Sequence, residues 1–170
     1  DILCGVEVEL SPLSFYQVNH DSAENLYGIA AEFAALTGTE TLLDLFCGAG
    51  TIGLSMARRC KKLIGVEIVP QAVENAKKNA ARSGIANAEF FCADAGEAAS
   101  RLAEQGIRPD VVVLDPPRKG CDQQVIDAVV SMSPSRVVMV SCNPATMARD
   151  CKEFQRQGYF VQRVKGVDMF

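Results

Sequence analysis

Thr41-Leu42-Leu43-Asp44-Leu45-Phe46-Cys47-Gly48-Ala49-Gly50-Thr51-Ile52-Gly53-Leu54 is the stretch from which the fold can be read. An apolar run (Leu42, Leu43, Leu45, Phe46) gives way to three glycines, Gly48, Gly50 and Gly53, and then to a helix-like segment with Ile52, Leu54, Met56 and Ala57. The order is strand, tight turn, helix start. Glycines at these places let the backbone turn sharply and let a ligand approach main-chain N–H groups. A bare G-x-G-x-x-G also fits a connection that binds nothing. Asp44, four residues before Gly48, sharpens the pattern, because a carboxylate at a strand end suits a cationic or hydroxyl-bearing ligand better than a pyrophosphate.

From Thr41 onward, strand-like runs alternate with helix-like segments five times. The strands are expected at 41–46, 63–67, 88–93, 111–115 and 137–141, with helices beginning near Thr51, Pro70, Gly96, Gln123 and Pro144. Pro70 suits a first helical position, and Gly84 stops the helix that it opens. Val111-Val112-Val113-Leu114 and Val137-Val138-Met139-Val140 are apolar throughout, as strands are when helices cover both faces. The pattern predicts an α/β fold built on a doubly wound, mostly parallel sheet. Upstream, Val6, Val8 and Leu10 alternate with Glu7 and Glu9 as in a half-buried strand, which Ser11-Pro12 ends. An aromatic and amide-rich stretch, Ser14-Phe15-Tyr16-Gln17-Val18-Asn19, reads either as a packed loop or as a binding segment. Ser22 is expected to cap a helix carrying Leu26, Ile29, Ala30, Phe33 and Leu36, with Gly38 as its stop. Gly158 precedes a last strand-like run, 159–167, before the closing Asp168-Met169-Phe170.

The 170 residues suit one domain, divided into a leading strand, loop and helix (1–37) and a sheet-building core (38–170). Hydrophobic content of 48% and charged content of 22% are those of a globular chain rather than a disordered one. Apolar runs are far too short for a membrane span, so a cytoplasmic protein is expected. Seven cysteines, an odd number without a C-x-x-C pair, fit neither a disulfide framework nor a metal site. The net charge of −4 argues against a free-standing nucleic-acid binder but not against an enzyme that takes RNA with the help of other domains.

Position then selects candidate residues, since ligands of open parallel sheets gather beyond the carboxyl ends of the strands. Asp44 with the glycine turn, Glu67, Asp94, Asp115-Pro116-Pro117-Arg118 and Ser141-Cys142-Asn143-Pro144 all fall at such ends. Glu67, 17 residues after Gly50, could accept hydrogen bonds from both ribose hydroxyls of a nucleoside. Asp94 could meet an adenine amino group or simply cap a helix. Two prolines behind Asp115 would hold its carboxylate in a fixed direction, while Arg118 and Lys119 add local positive charge. Cys142 precedes a helix start, where a thiolate is stabilised and a nucleophile becomes plausible. Cys47 competes with it, but a ligand in the turn would cover that thiol. His20, the one histidine, lies in an early loop and supports no Cys–His or Ser–His system.

Asp44-Leu45-Phe46-Cys47-Gly48-Ala49-Gly50, Asp115-Pro116-Pro117-Arg118 and Ser141-Cys142-Asn143-Pro144, with Phe15-Tyr16-Gln17-Val18-Asn19 upstream, resemble the catalytic domain of the S-adenosylmethionine-dependent RNA uracil-5 methyltransferases. The resemblance runs over essentially the whole chain. It implies a Rossmann-like class I methyltransferase fold, S-adenosyl-L-methionine as cofactor, and RNA as partner, either tRNA or rRNA with 23S rRNA the expected target. By the same resemblance Gln17, Phe46, Gly48, Glu67, Asp94 and Asp115 contact the cofactor, Cys142 is the nucleophile, and Asp115 belongs to the catalytic group. The family's general base is a glutamate in a Pro-x-Thr-x-His-x-Glu segment after Asp-Met-Phe, and its RNA-binding parts lie ahead of this domain. The chain is therefore expected to be a fragment that binds cofactor without completing turnover. Three other functions compete. An amino-directed methyltransferase generally follows Asp-Pro-Pro with an aromatic residue, where this chain has Arg118, and it leaves Cys142 without a task. A nicotinamide oxidoreductase shares the glycine turn and the acidic strand end but also needs no thiol there. The third is a cofactor-binding scaffold without activity.

Overall fold

The computed structural model describes residues 1–9 and 19–169. A hairpin of two short antiparallel strands, β1 (Ile2–Leu3) and β2 (Val6–Glu7), leads the chain, followed by helix α1 (His20–Ala34). The sheet then alternates with helices: β3 (Thr41–Leu45), α2 (Thr51–Met56), β4 (Lys62–Glu67), α3 (Pro70–Arg82), β5 (Ala88–Cys92), α4 (Ala95–Glu104), β6 (Val111–Leu114), α5 (Gln123–Met132), β7 (Arg136–Met139) and α6 (Pro144–Arg156). A short 3-10 turn, Ala57–Arg59, extends α2.

The five-stranded sheet has the order β5-β4-β3-β6-β7, and every pair is parallel. The chain starts at the centre, winds outward through β4 and β5, then returns to the other side of β3 for β6 and β7. The winding reverses between β3 and β6, the switch point at which such sheets open a crevice. Side chains alternate across each strand. Leu42, Leu63, Val111 and Val113 enter one core with α1, α2 and α3, whereas Leu43, Leu45, Val66, Val112 and Leu114 enter a second with α4, α5 and α6. Both layers are dry: all four β6 residues and Leu42, Leu43 and Leu45 are 0% exposed, each buried leucine contributing about 2 kcal/mol of transfer free energy. The doubly wound parallel sheet read from the sequence is the fold that forms.

Three local expectations need correction. Asn19, not Ser22, caps α1: its side-chain oxygen accepts the Ser22 N–H at 3.1 Å. That helix ends at Ala34, because Ala35 takes the left-handed conformation before Gly38 is reached. Its buried face is Ala23, Tyr27, Ala30, Ala31 and Ala34, with Leu26, Phe33 and Leu36 at the margin. The leading strand is a hairpin turning at Cys4-Gly5, both at positive φ, and it keeps the expected alternation with Val6 and Val8 buried and Glu7 exposed; Leu10 lies outside the described residues. Residues 159–167 form no strand. Strand propensity becomes a strand only where a neighbour takes the backbone N–H and C=O groups, and this segment instead runs where Arg163 pairs with Glu32 at 2.6 Å and sits 4.6 Å from the centre of the Phe33 ring.

Candidate functional site

The carboxyl ends of β3, β4 and β6 surround a cavity of about 410 Å³. The turn after β3 shapes its floor. Phe46 leaves the strand in the left-handed region (φ 65°), a conformation that costs a non-glycine residue of order 1–3 kcal/mol. Gly48 and Gly50 follow at positive φ, and Gly50 delivers the chain into α2. Gly53 serves a different purpose, since a Cβ there would lie 2.6 Å from the Asp44 carboxylate. The turn is held from outside by Asn79 on α3, a fully buried amide that donates to the Ala49 carbonyl at 3.1 Å and accepts the Glu9 N–H at 2.7 Å.

Glu67 is fixed by the backbone. One oxygen accepts the Gly48 N–H at 2.9 Å and the other the Val69 N–H at 3.0 Å. A carboxylate accepts about four hydrogen bonds, so each oxygen retains capacity for a hydroxyl donor. The amide of the first glycine, which a pyrophosphate would use, is already given to Glu67. Asp44 is 1% exposed and accepts the Gly53 N–H at 2.9 Å through one oxygen, while its other oxygen is buried with no hydrogen-bond partner among the described residues. Burial pushes this carboxyl up to about 8, with Asp115 and Glu67 adding to the rise and the Gly53 amide opposing it. Burial likewise pushes Asp115 up to about 6.

Phe46, Gly48, Glu67, Asp94 and Asp115 all line the cavity, together with Tyr27, Thr51, Ile68 and Lys119. Asp94 caps α4, accepting the Gly96 and Glu97 N–H groups at 2.9 and 3.2 Å, and faces the cavity as well. Gln17 and the rest of 10–18 lie outside the described residues. Asp94, Asp115, Glu67 and Asp122 against Lys119 make the lining acidic, and Lys119 is itself paired with Asp122 at 3.1 Å. An acidic, partly apolar cleft whose one lining cation is already paired fits a cation better than an anion.

Cys142 is exposed and is not among the residues lining that cavity. Strand register nevertheless brings it close to the same edge: the Val140 N–H donates to the Leu114 carbonyl at 2.8 Å, one residue before Asp115 on the neighbouring strand. Asn143 caps α6 through the Ala145 N–H at 3.1 Å, so Cys142 immediately precedes the positive end of a 13-residue helix. Cys47 is buried in the turn, and burial raises its thiol well above the ordinary range. Cys142 and Cys92, which ends β5 opposite Glu67, are the exposed cysteines at this edge of the sheet, and of the two only Cys142 precedes a helix start that follows β7 beside Asp115.

Tyr27 and Thr51, hydrogen-bonded to each other at 3.1 Å, Asn79, Arg149 and Asp150 were not visible as site residues in the sequence. Asn79 and Asp150 did leave a signal: each is polar within an apolar helical stripe, beside Val73, Ala76 and Ala80 in α3 and between Met147 and Phe154 in α6.

Comparison with known proteins adds an independent line. A model of the tRNA (uracil-5-)-methyltransferase family matches residues 7–170. An uncharacterised RNA methyltransferase of Halalkalibacterium halodurans is 48% identical over 170 residues, covering 100% of this chain and 37% of the relative. Another from Bacillus cereus is 46% identical over the same length and coverage. The chain thus spans little more than a third of the length of these relatives. The crystal structure of Pyrococcus abyssi tRNA (uracil-54, C5)-methyltransferase in complex with S-adenosyl-L-homocysteine superposes with a TM-score of 0.74 and 32% identity, covering 86% of this chain and 35% of that one. Precorrin-6y C5,15-methyltransferase from Geobacter metallireducens has the same TM-score, 0.74, at 16% identity over 91% of this chain and 78% of that one, a likeness of fold alone.

Proposed function

The chain belongs to the tRNA (uracil-5-)-methyltransferase family, and we propose that it binds S-adenosylmethionine in the acidic cavity and that, within the full-length protein that supplies the general base, it methylates carbon 5 of a uridine in RNA through Cys142. The observation that carries the cofactor assignment is the acidic lining of the cavity by Glu67, Asp94 and Asp115, with Glu67 already holding the Gly48 amide. Such a lining suits a ligand bearing an ammonium and a sulfonium. A dinucleotide would bring phosphates to a turn whose first glycine amide is occupied and whose surroundings repel them.

The residues fit the cofactor in detail. Glu67 would take the ribose hydroxyls, Asp115, backed by the buried Asp44 carboxyl, the cationic end, and Phe46 and Ile68 the apolar face of the base, with Gly48 allowing close approach. Gln17 and Asp94 complete the proposed set. When bound, the cofactor supplies an electrophilic methyl group. The chain supplies the nucleophile that activates the base. The Cys142 thiolate forms a bond to carbon 6 of uracil, and the electrons of the 5,6 double bond move onto the carbonyl at carbon 4. Carbon 5 thereby becomes nucleophilic. Once carbon 5 is methylated and its proton has passed to a base, the carbon 6–sulfur bond breaks and Cys142 leaves as thiolate. The uridine must be unpaired or flipped out to reach the thiol.

We propose 23S rRNA as the first substrate to test, tRNA as the second, and the cytoplasm as the place of action. The described cysteines are all unpaired and no described helix is long and apolar enough to cross a membrane. Other parts of the full-length protein would supply most of the RNA contact, in keeping with the net charge of −4. Incubation with S-adenosylmethionine and 5-fluorouridine-containing 23S rRNA is expected to give a denaturation-stable adduct that mass spectrometry maps to Cys142. The adduct is lost in Cys142→Ala. An adduct that persists in that variant overturns the assignment of the nucleophile.

A further inference from the structure

The Arg149–Asp150 pair on α6 is not among the residues lining the cavity, yet the side-chain hydrogen bonds that it makes to other described residues go to the loop that forms one cavity wall. Asp150 is 1% exposed and accepts the Cys121 N–H at 2.7 Å. Arg149 donates through Nε and a terminal nitrogen to the other Asp150 oxygen at 2.9 and 2.7 Å, and through that terminal nitrogen to the carbonyls of Lys119 at 2.8 Å and Cys121 at 3.4 Å. One turn earlier, Asn143 and Thr146 both donate to the Arg118 carbonyl, at 3.2 and 3.1 Å. Gly120 sits directly on the pair: a Cβ there would come within 2.5 Å of both Arg149 and Asp150. Four side chains of the helix behind Cys142 thus grip the backbone of 118–121, and Lys119 and Gly120 of that loop line the cavity.

A planar guanidinium sets Nε and a terminal nitrogen side by side on one Asp150 oxygen while the same terminal nitrogen reaches the loop carbonyls, a fixed fork that the rotating, point-like ammonium of lysine does not reproduce. We infer that Arg149 and Asp150 are positioning residues that lock the 118–121 wall of the cofactor cavity to the helix that directly follows the nucleophile Cys142. The inference rests on the assignment of the cavity to the cofactor. With the loop held, the cavity is preformed and the thiol and cofactor ends share one frame. With the loop released, binding must also order it, and affinity falls.

Arg149→Lys is the informative variant. Arg149 is mostly exposed, so the fold tolerates the change, and lysine keeps the charge beside Asp150 while losing the fork. Asp150→Asn is the harsher companion, since it leaves a donor facing Arg149. Arg156→Lys, on the same helix but paired with Glu153, is the control. Calorimetry with S-adenosylhomocysteine and amide hydrogen exchange are read on all of them. For Arg149→Lys we expect the melting temperature to stay within about 2 °C, amide exchange at 118–121 to accelerate, and affinity to fall about tenfold, while the control changes nothing. Unchanged exchange at 118–121 in Arg149→Lys overturns the clamp. Faster exchange with unchanged affinity overturns its positioning role. A wild-type chain that does not bind S-adenosylhomocysteine overturns the cofactor assignment, and with it the link to function, whereas the exchange measurement still reports separately on whether the pair holds the loop.

Discussion

Asp44 and Gly53 meet at 2.9 Å, the Gly53 N–H donating to one oxygen of a carboxyl group whose other oxygen is buried without a partner among the described residues. Folding raises that carboxyl from the ordinary acidic range to about 8. The folded chain therefore holds a proton that the unfolded chain has lost between about pH 4 and about pH 8, and stability of the ligand-free chain falls as pH rises through that window. Asp115, raised to about 6, adds a contribution of the same sign that ends earlier. Thermal melts between pH 6.5 and 8.5 should show a declining melting temperature in the wild type and a flatter profile in Asp44→Asn. An equal slope in the variant would place the titrating group elsewhere.

The same carboxyl group predicts proton release on ligand binding. A cation beside Asp44 favours its charged form, so S-adenosylhomocysteine binding at pH 7 should release a fraction of a proton. Calorimetry in buffers of different ionisation enthalpy measures it directly. The release should shrink in Asp44→Asn to the small share left by Asp115, which is already mostly ionised at that pH.

Gly65 lies in β4 against the Phe90 ring, and an added Cβ would overlap that ring and approach Cys47 Sγ at 3.1 Å. Gly65→Ala should cost about 2 kcal/mol through overpacking, measured by urea denaturation. Asn79→Ala removes two hydrogen bonds and leaves the Glu9 N–H and the Ala49 carbonyl unmatched. A loss of about 3 kcal/mol is expected, together with weaker ligand binding because the glycine turn loses its outer support.

Much of the fold was legible because two periods alternate cleanly after Thr41. The helix starts at Thr51, Pro70, Gln123 and Pro144 fall where the sequence places them, and the start near Gly96 is displaced by one residue to Ala95. The acidic strand ends could be placed because a parallel sheet puts every carboxyl end on one side. The 159–167 run misled because periodicity reports a residue's preference and not the presence of a neighbouring strand. Asn19 displaced Ser22 as cap because both are good caps and only the backbone path decides between them. The bend at Phe46 could not be read at all, since three glycines stand beside it and the left-handed residue there is aromatic. Asp150 showed only as a polar residue within the apolar stripe of α6, and Arg149 not at all, because their partners are backbone groups about 30 residues away, which no local pattern records.

Thiol reactivity separates the exposed cysteines from the buried ones. Cys142 and Cys92 are exposed, whereas burial pushes Cys60 up to about 11, Cys121 up to about 12, and Cys47 well above its ordinary value. Iodoacetamide at pH 8 should therefore label Cys142 and Cys92 first, as read by peptide mass mapping. Labelling of Cys47, Cys60 and Cys121 should wait for unfolding.

Calorimetric titration of the chain with S-adenosylhomocysteine and, separately, NADH tests the identity of the cavity's ligand most directly. The acidic lining and the occupied Gly48 amide predict one-to-one binding of the adenosyl ligand, no heat with NADH, and a loss of at least about tenfold in affinity in Glu67→Ala, which removes two charge-assisted acceptor sites. Binding of NADH, or adenosyl binding indifferent to Glu67→Ala, would contradict the account.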